Sequence, residues 1–220
     1  MKIVKKVLDR HLGQVLKAHI KSYGYRMRDY SVFKEVSGFF VSALFWAGGW
    51  NGDEVGVRMD IKPYYFDDVF WEVIKMPTNS QAPVSLRAVG AFAVRSLSFF
   101  EKSRVIKEYD EVEGCVLEFL EACDVATREM LLKTGNNAQT FVEYTKTLEE
   151  PYLYYDLKLG EILLLIKQGD YPAAKEIALH ELENHSTGYI RNEGKWTNEH
   201  VVEYCERMME SQSREAAQGD

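Results

Sequence analysis

Two hydrophobic periods divide this chain. Between about residues 25 and 94, apolar and polar positions alternate as in β-strands. Between about 110 and 210, apolar residues recur every three or four positions as in amphipathic helices. A helix precedes both. Over residues 2–22, Val4, Val7, Leu8, Leu12, Val15, Leu16, His19 and Ile20 form one stripe, and Gly24 supplies a C-terminal stop. The spacing then predicts strands over 25–36 and 39–46, joined by a tight turn at Ser37-Gly38. The second of these is apolar on both faces. A Gly-rich loop over 47–53 leads to a third strand over 54–62. Its inner face is Val55, Val57, Met59 and Ile61, its outer face is Arg58, Asp60 and Lys62, and Pro63 ends it. Residues 64–76 read as a short helix or turn, 77–83 as a loop, and 84–99 as a fourth strand.

From residue 107 the pattern is helical. Val112, Cys115, Val116, Phe119, Leu120, Cys123 and Met130 define a long helix that Gly135-Asn136-Asn137 ends. A short helix over 139–149, a hairpin of helices over 152–167 and 172–185, and a last helix over 198–211 follow. The expected fold class is α+β: an N-terminal helix on an antiparallel sheet, then an all-helical half. The expected units are an α+β sheet domain over 1–105, a helical domain over 106–212 and a fraying tail over 213–220. No Pro/Gly/Ser-rich linker separates the first two, so they are expected to pack together.

Two stretches carry resemblances. Lys167-Gln168-Gly169-Asp170-Tyr171, with Ala174 and Ala178 beyond it, resembles the turn and second helix of a tetratricopeptide repeat, a family that stacks helix pairs to bind peptides. Leu159-Gly160 stands two residues farther from that turn than the family's Leu-Gly pair. The second resemblance covers about residues 1–105. The basic amphipathic helix, Gly24-Tyr25-Arg26-Met27-Arg28, and a hairpin ending Gly56-Val57-Arg58-Met59-Asp60-Ile61 together look like a group of uncharacterised bacterial domains. This resemblance implies the order helix–strand–strand–strand and a bacterial source, and it implies no chemistry.

Charge is as unevenly spread as hydrophobicity. Residues 1–34 hold nine Lys/Arg against Asp9 and Asp29, a net +7, while the whole chain is −7 and the remainder therefore −14. That overall sign disfavours nonspecific nucleic-acid binding but leaves room for a local basic face. The three cysteines, Cys115, Cys123 and Cys205, form no CxxC pair and occupy apolar helical positions, which predicts buried free thiols in a reducing compartment. No apolar run is long enough to span a bilayer, and Val-Leu-Asp-Arg-His after Lys5-Lys6 is no leader core. A cytoplasmic location without membrane contact is therefore expected.

The familiar reactive motifs do not fit. In His180-Glu181-Leu182-Glu183-Asn184-His185 the histidines are i and i+5, about 140° apart on a helix, so no metal is expected there. Between Gly188 and Gly194 lie five residues where a phosphate loop needs four, and Trp196 follows Lys195 where Ser/Thr is required. That segment reads as a loop, and no cofactor is expected. Adjacent acids such as Asp67-Asp68 do not converge by spacing alone.

The outer face of the sheet is the candidate site. Arg58 and Lys62 lie there, joined either by Phe40, Leu44 and Trp46 or by Phe39 and Phe45. Arg26, Arg28, Arg87 and Arg95 are also in reach, and Trp50 lies on the adjoining loop. Such a mixture of aromatics with Arg suits a protein partner, a small ligand or stacked bases if it is open. The binding residues expected are Arg26, Arg28, Trp46, Trp50, Arg58 and Lys62. The alternative is that the C-terminal helices cover this face. The function expected is a non-enzymatic protein-interaction or regulatory module. Two further readings stay open: a hydrolase-like enzyme with a dispersed site at the junction of the halves, and nucleic-acid binding through the basic N-terminal segment.

Overall fold

A computed structural model describes residues 3–148 and 156–218. Helix α1 (Lys5–His19) buries Leu8, Leu12, Val15 and Leu16 and passes into a 3₁₀ turn (Ile20–Tyr23). Five antiparallel strands follow in simple meander order: β1 (Arg26–Arg28), β2 (Ser31–Val36), β3 (Phe39–Gly48), β4 (Glu54–Pro63) and β5 (Leu97–Val105). Helices α2 (Phe66–Val73) and α3 (Leu86–Val89) lie between β4 and β5. The rest is α4 (Glu111–Lys133), α5 (Ala138–Lys146), α6 (Leu157–Gln168), α7 (Tyr171–Glu183) and α8 (Thr197–Gln218). The architecture is α+β.

Local chemistry explains most boundaries. Ser37 and Gly38 both adopt positive φ, 51° and 77°, as a two-residue turn between right-twisted strands requires. The Asn137, Asp156 and Asp170 side chains accept hydrogen bonds from first-turn backbone N–H groups of α5, α6 and α7. Gly169, at φ 81°, closes α6. The run expected as one strand over 25–36 is two strands, because Asp29 takes φ 55° and turns the chain at Asp29-Tyr30. Residues 188–196, expected to be a plain loop, contain a two-stranded ribbon, Arg191–Asn192 against Lys195–Trp196. The tail expected to fray is helical as far as Gln218. The beginning of the expected 152–167 helix lies outside the described residues. Among the described residues, no helix is long and apolar enough to cross a membrane.

The expected strand over 84–99 forms only at its last three residues, and the reason is visible in the backbone that precedes them. The Val94 N–H donates to Asp67 Oδ1 at 2.7 Å, and the Val94 carbonyl accepts from Lys62 Nζ at 2.6 Å. The Phe92 carbonyl accepts from Trp71 Nε1, and the Arg87 carbonyl accepts from Lys62 Nζ. Buried side chains satisfy main-chain groups that would otherwise need a strand ladder. The fifth strand runs over Leu97–Val105, overlapping the expected one at 97–99 and ending where the sheet unit was expected to end.

The two faces of the sheet have different fates. Val55, Val57, Met59 and Ile61 on β4 join Val41, Ala43 and Phe45 on β3 in a core closed by α1 and α4. On β5, Lys102 and Arg104 belong to this face and pair with Glu118 of α4. The opposite face carries Phe40, Leu44, Trp46, Arg58, Asp60 and Lys62. One end of it is covered by the α2–β5 connection rather than by the C-terminal helices, and there Phe40 and Lys62 are fully buried. The other end stays open, with Leu44 exposed and Trp46 half-buried.

Candidate functional site

The structure separates the six expected binding residues. Lys62 has no exposure at all. Its ammonium donates to Asp67 Oδ1 at 2.9 Å and to the Arg87 and Val94 carbonyls, so every proton has an acceptor. Burial pushes its pKa below the ordinary lysine range, and the Asp67 carboxylate opposes that shift. Asp67 and Asp68 both grip the Arg87 guanidinium, at 3.4 and 2.6 Å, so these adjacent acids do converge, on a buried cation. The Arg87 plane also lies over Tyr64, 4.0 Å from its ring centroid. This cluster staples the α2–β5 connection onto the sheet, and Lys62 is therefore a structural residue.

Trp46 packs on its cross-strand partner Gly56, where an added Cβ would overlap the indole. Trp50 is fully exposed on the 49–53 loop. Arg58 lies 3.5 Å from Asp60, whose carboxylate also accepts from Ser98. These three residues share no cleft with Arg26 and Arg28.

Arg26 and Arg28 do line a cleft, one of about 990 Å³ that opens between α1, the β1–β2 hairpin and the 83–85 loop. Its construction begins with Gly13. On α1, Gly13 lies in line with Lys6, Arg10 and Lys17, all within about 60° of helix circumference. Having no side chain, it lets the Tyr30 ring approach, where a Cβ would sit 3.3 Å from that ring. The Tyr30 hydroxyl then donates to the Asp9 carbonyl at 3.1 Å, tying the hairpin tip to the helix. Arg28 donates to Ser85 Oγ at 3.3 Å, which brings the third wall in. Arg26 lies 5.6 Å from the Phe33 centroid. At the back, Lys34 stands 4.3 Å from the Tyr25 centroid and binds Asp124 of α4. Burial pushes the Tyr25 phenol well above the ordinary tyrosine range and keeps it neutral.

The electrostatics of this cleft set it apart. Lys17, Lys21, Arg26 and Arg28 line it against Asp29, a net +3. Among the described residues, Lys5, Lys6, Arg10, Lys17, Lys21, Arg26 and Arg28 have no carboxylate within ion-pair distance. From Lys34 onward, thirteen Lys or Arg side chains do. A row of unneutralised cations raises the local potential and draws anions toward the cleft. Among the described residues, no group of His, Cys, Asp and Glu is placed to hold a metal ion. All three thiols are buried, and burial pushes Cys123 up to about 12 and Cys205 up to about 11, far from a reactive thiolate.

Of the six residues expected to bind, Arg26 and Arg28 line this cleft, and Lys17, Lys21, Tyr30 and Ser85, which were not among the six, line it with them. The cationic stripe on α1, with a glycine inside it, was the available signal. No protein-family model, no curated protein and no solved structure matches the chain.

Proposed function

We propose that this protein is a non-enzymatic interaction module that receives an acidic segment of a partner protein in the cleft between α1 and the β1–β2 hairpin. One observation supports this reading above the rest. Among the described residues, the seven cations of residues 5–28 lack ion-pair partners, and four of them line the cleft, while cations elsewhere are largely paired within the fold. Exposed cations without carboxylate partners give up no internal ion pair when an acidic ligand binds, and they steer it in. The half-buried Tyr30 and Met27 beside them suit a polypeptide, which brings apolar as well as charged groups.

The test is fluorescence anisotropy with a labelled octaglutamate peptide at low salt, beside a labelled oligothymidylate of equal charge. The double variant Lys17→Glu/Arg28→Glu is expected to weaken peptide binding by about tenfold or more, the equivalent of ~1.4 kcal/mol. Raising the salt should weaken the wild-type complex. Unchanged peptide affinity in the variant overturns the reading. Tighter binding of the oligothymidylate, lost in the same variant, replaces the protein partner with a nucleic acid.

A further inference from the structure

The cleft runs along the free edge of the sheet. Strand β1 is the first in the order β1-β2-β3-β4-β5 and, among the described residues, pairs with β2 alone. Side chains from both of its faces line the cleft, Arg26 and Arg28 from one and Met27 from the other, which requires the opening to lie beside the strand and not over one face.

The register then determines which main-chain groups are unpaired. In an antiparallel ladder, hydrogen-bonded and non-bonded residue pairs alternate. The Ser37-Gly38 turn makes Val36↔Phe39 a bonded pair, so Lys34↔Val41 and Val32↔Ala43 are bonded too. Val32 thus directs its N–H and C=O to β3, and the pair Met27↔Val32 on its other side is non-bonded. Counting from the Asp29-Tyr30 turn gives the same parity: Arg28↔Ser31 closes it as a bonded pair and Met27↔Val32 comes next. Two independent counts leave the Met27 N–H and C=O facing the cleft.

Resting on the acidic-partner reading, we infer that the partner enters as an extended segment of the form acid-x-acid, which adds a short strand to β1. Its main chain pairs with the Met27 N–H and C=O, and its two acids oppose Arg26 and Arg28. Arg26 and Arg28 are two residues apart on one strand face, about 6.6 Å, the same repeat at which an added strand presents alternate side chains. The intervening residue turns toward the wall made by Lys17 and Lys21. A second copy of this chain is a poor occupant, because edge-to-edge pairing sets Arg26 and Arg28 against their own counterparts. With three residues in β1, the added pairing is short, and charge supplies the specificity.

The probes are labelled Val-Asp-Val-Asp-Val peptide and the same peptide N-methylated at its central residue. The protein variants are Met27→Pro and Met27→Leu. Pro removes the outward N–H at a position where an edge strand tolerates it, and the melting temperature checks that the fold survives. The unmethylated peptide is expected to bind wild type and Met27→Leu alike, and to slow deuterium exchange at the Met27 amide. N-methylation of the peptide, or Met27→Pro, is expected to weaken binding about three- to tenfold. Equal binding of both peptides with no change in Met27 exchange overturns the strand-addition inference while leaving the acidic-partner reading standing. Failure of every acidic peptide to bind removes both.

Discussion

Lys62→Met is the sharpest probe of what the buried cluster does. The substitution keeps most of the side-chain stem and deletes one ammonium from a site with no solvent exposure. Three acceptors lose their donor: Asp67 Oδ1 and the Arg87 and Val94 carbonyls. Asp67 keeps the Val94 N–H at 2.7 Å and the more distant Arg87 Nη1 at 3.4 Å, so its charge is weakened in support but not abandoned. Each orphaned buried carbonyl costs about 1–3 kcal/mol. Removing one partner of a buried ion pair costs about 3–5 kcal/mol. Relief of the buried ammonium's own desolvation cost offsets the orphaned carbonyls, so the expected loss stays at about 3–5 kcal/mol, a large part of the roughly 5–15 kcal/mol by which a typical protein is stable. Urea unfolding, followed by tryptophan fluorescence and circular dichroism, should show the midpoint lowered by about 1–2 M at unchanged slope. Lys102→Met is the matched control, since Lys102 is exposed to a similar degree as its partner Glu118, and about 1 kcal/mol or less is expected there. Equal cost for the two variants would show that the Lys62 cluster is not what holds the α2–β5 connection down.

Two more outcomes follow from geometry on the other side of the molecule and on the sheet. Gly56→Ala should displace the Trp46 ring, changing the tryptophan emission and costing about 1–3 kcal/mol in unfolding experiments, because the added methyl and the indole claim one space. Glu203 is held down to about 2 by hydrogen bonds from Lys195 and Lys75. A carboxyl depressed in the folded state contributes stability that is present above the ordinary glutamate range and is lost as pH falls toward about 2. Glu203→Gln should therefore flatten the acid limb of a stability–pH curve measured by thermal melts, and leave a wild-type slope elsewhere. An unchanged acid limb contradicts the pairing of α8 with Lys75 and Lys195.

The elements whose signals are local matched the sequence closely. The α1 stripe from Leu8 onward (its expected members Val4 and Val7 are exposed), the Ser37-Gly38 turn, the alternation of 54–62 and the Gly169-Asp170 hairpin each depend on residues within a few positions of one another. The misplaced strand over 84–99 shows the limit. Its alternation resembles a strand, but its main-chain groups are claimed by Lys62, Asp67 and Trp71, residues 21 to 32 positions earlier in the chain. Such competition has no local signature.

Lys62 and the basic cleft divide the same way. Alternation along β4 correctly put Lys62 on the face opposite Val55 and Ile61, since side-chain direction in a strand is a property of the backbone itself. Whether that face met water was decided by the segment that folded over it. The positive charge of residues 1–34 was equally plain in the chain. The cleft it lines exists only because Gly13 admits Tyr30 and because Ser85, 57 positions from Arg28, closes the third wall. Composition and period act through neighbours along the chain, so they determine elements, faces and charge. Exposure, ion pairing and the shape of a cleft depend on which distant segments pack together, and only the tertiary structure decides that.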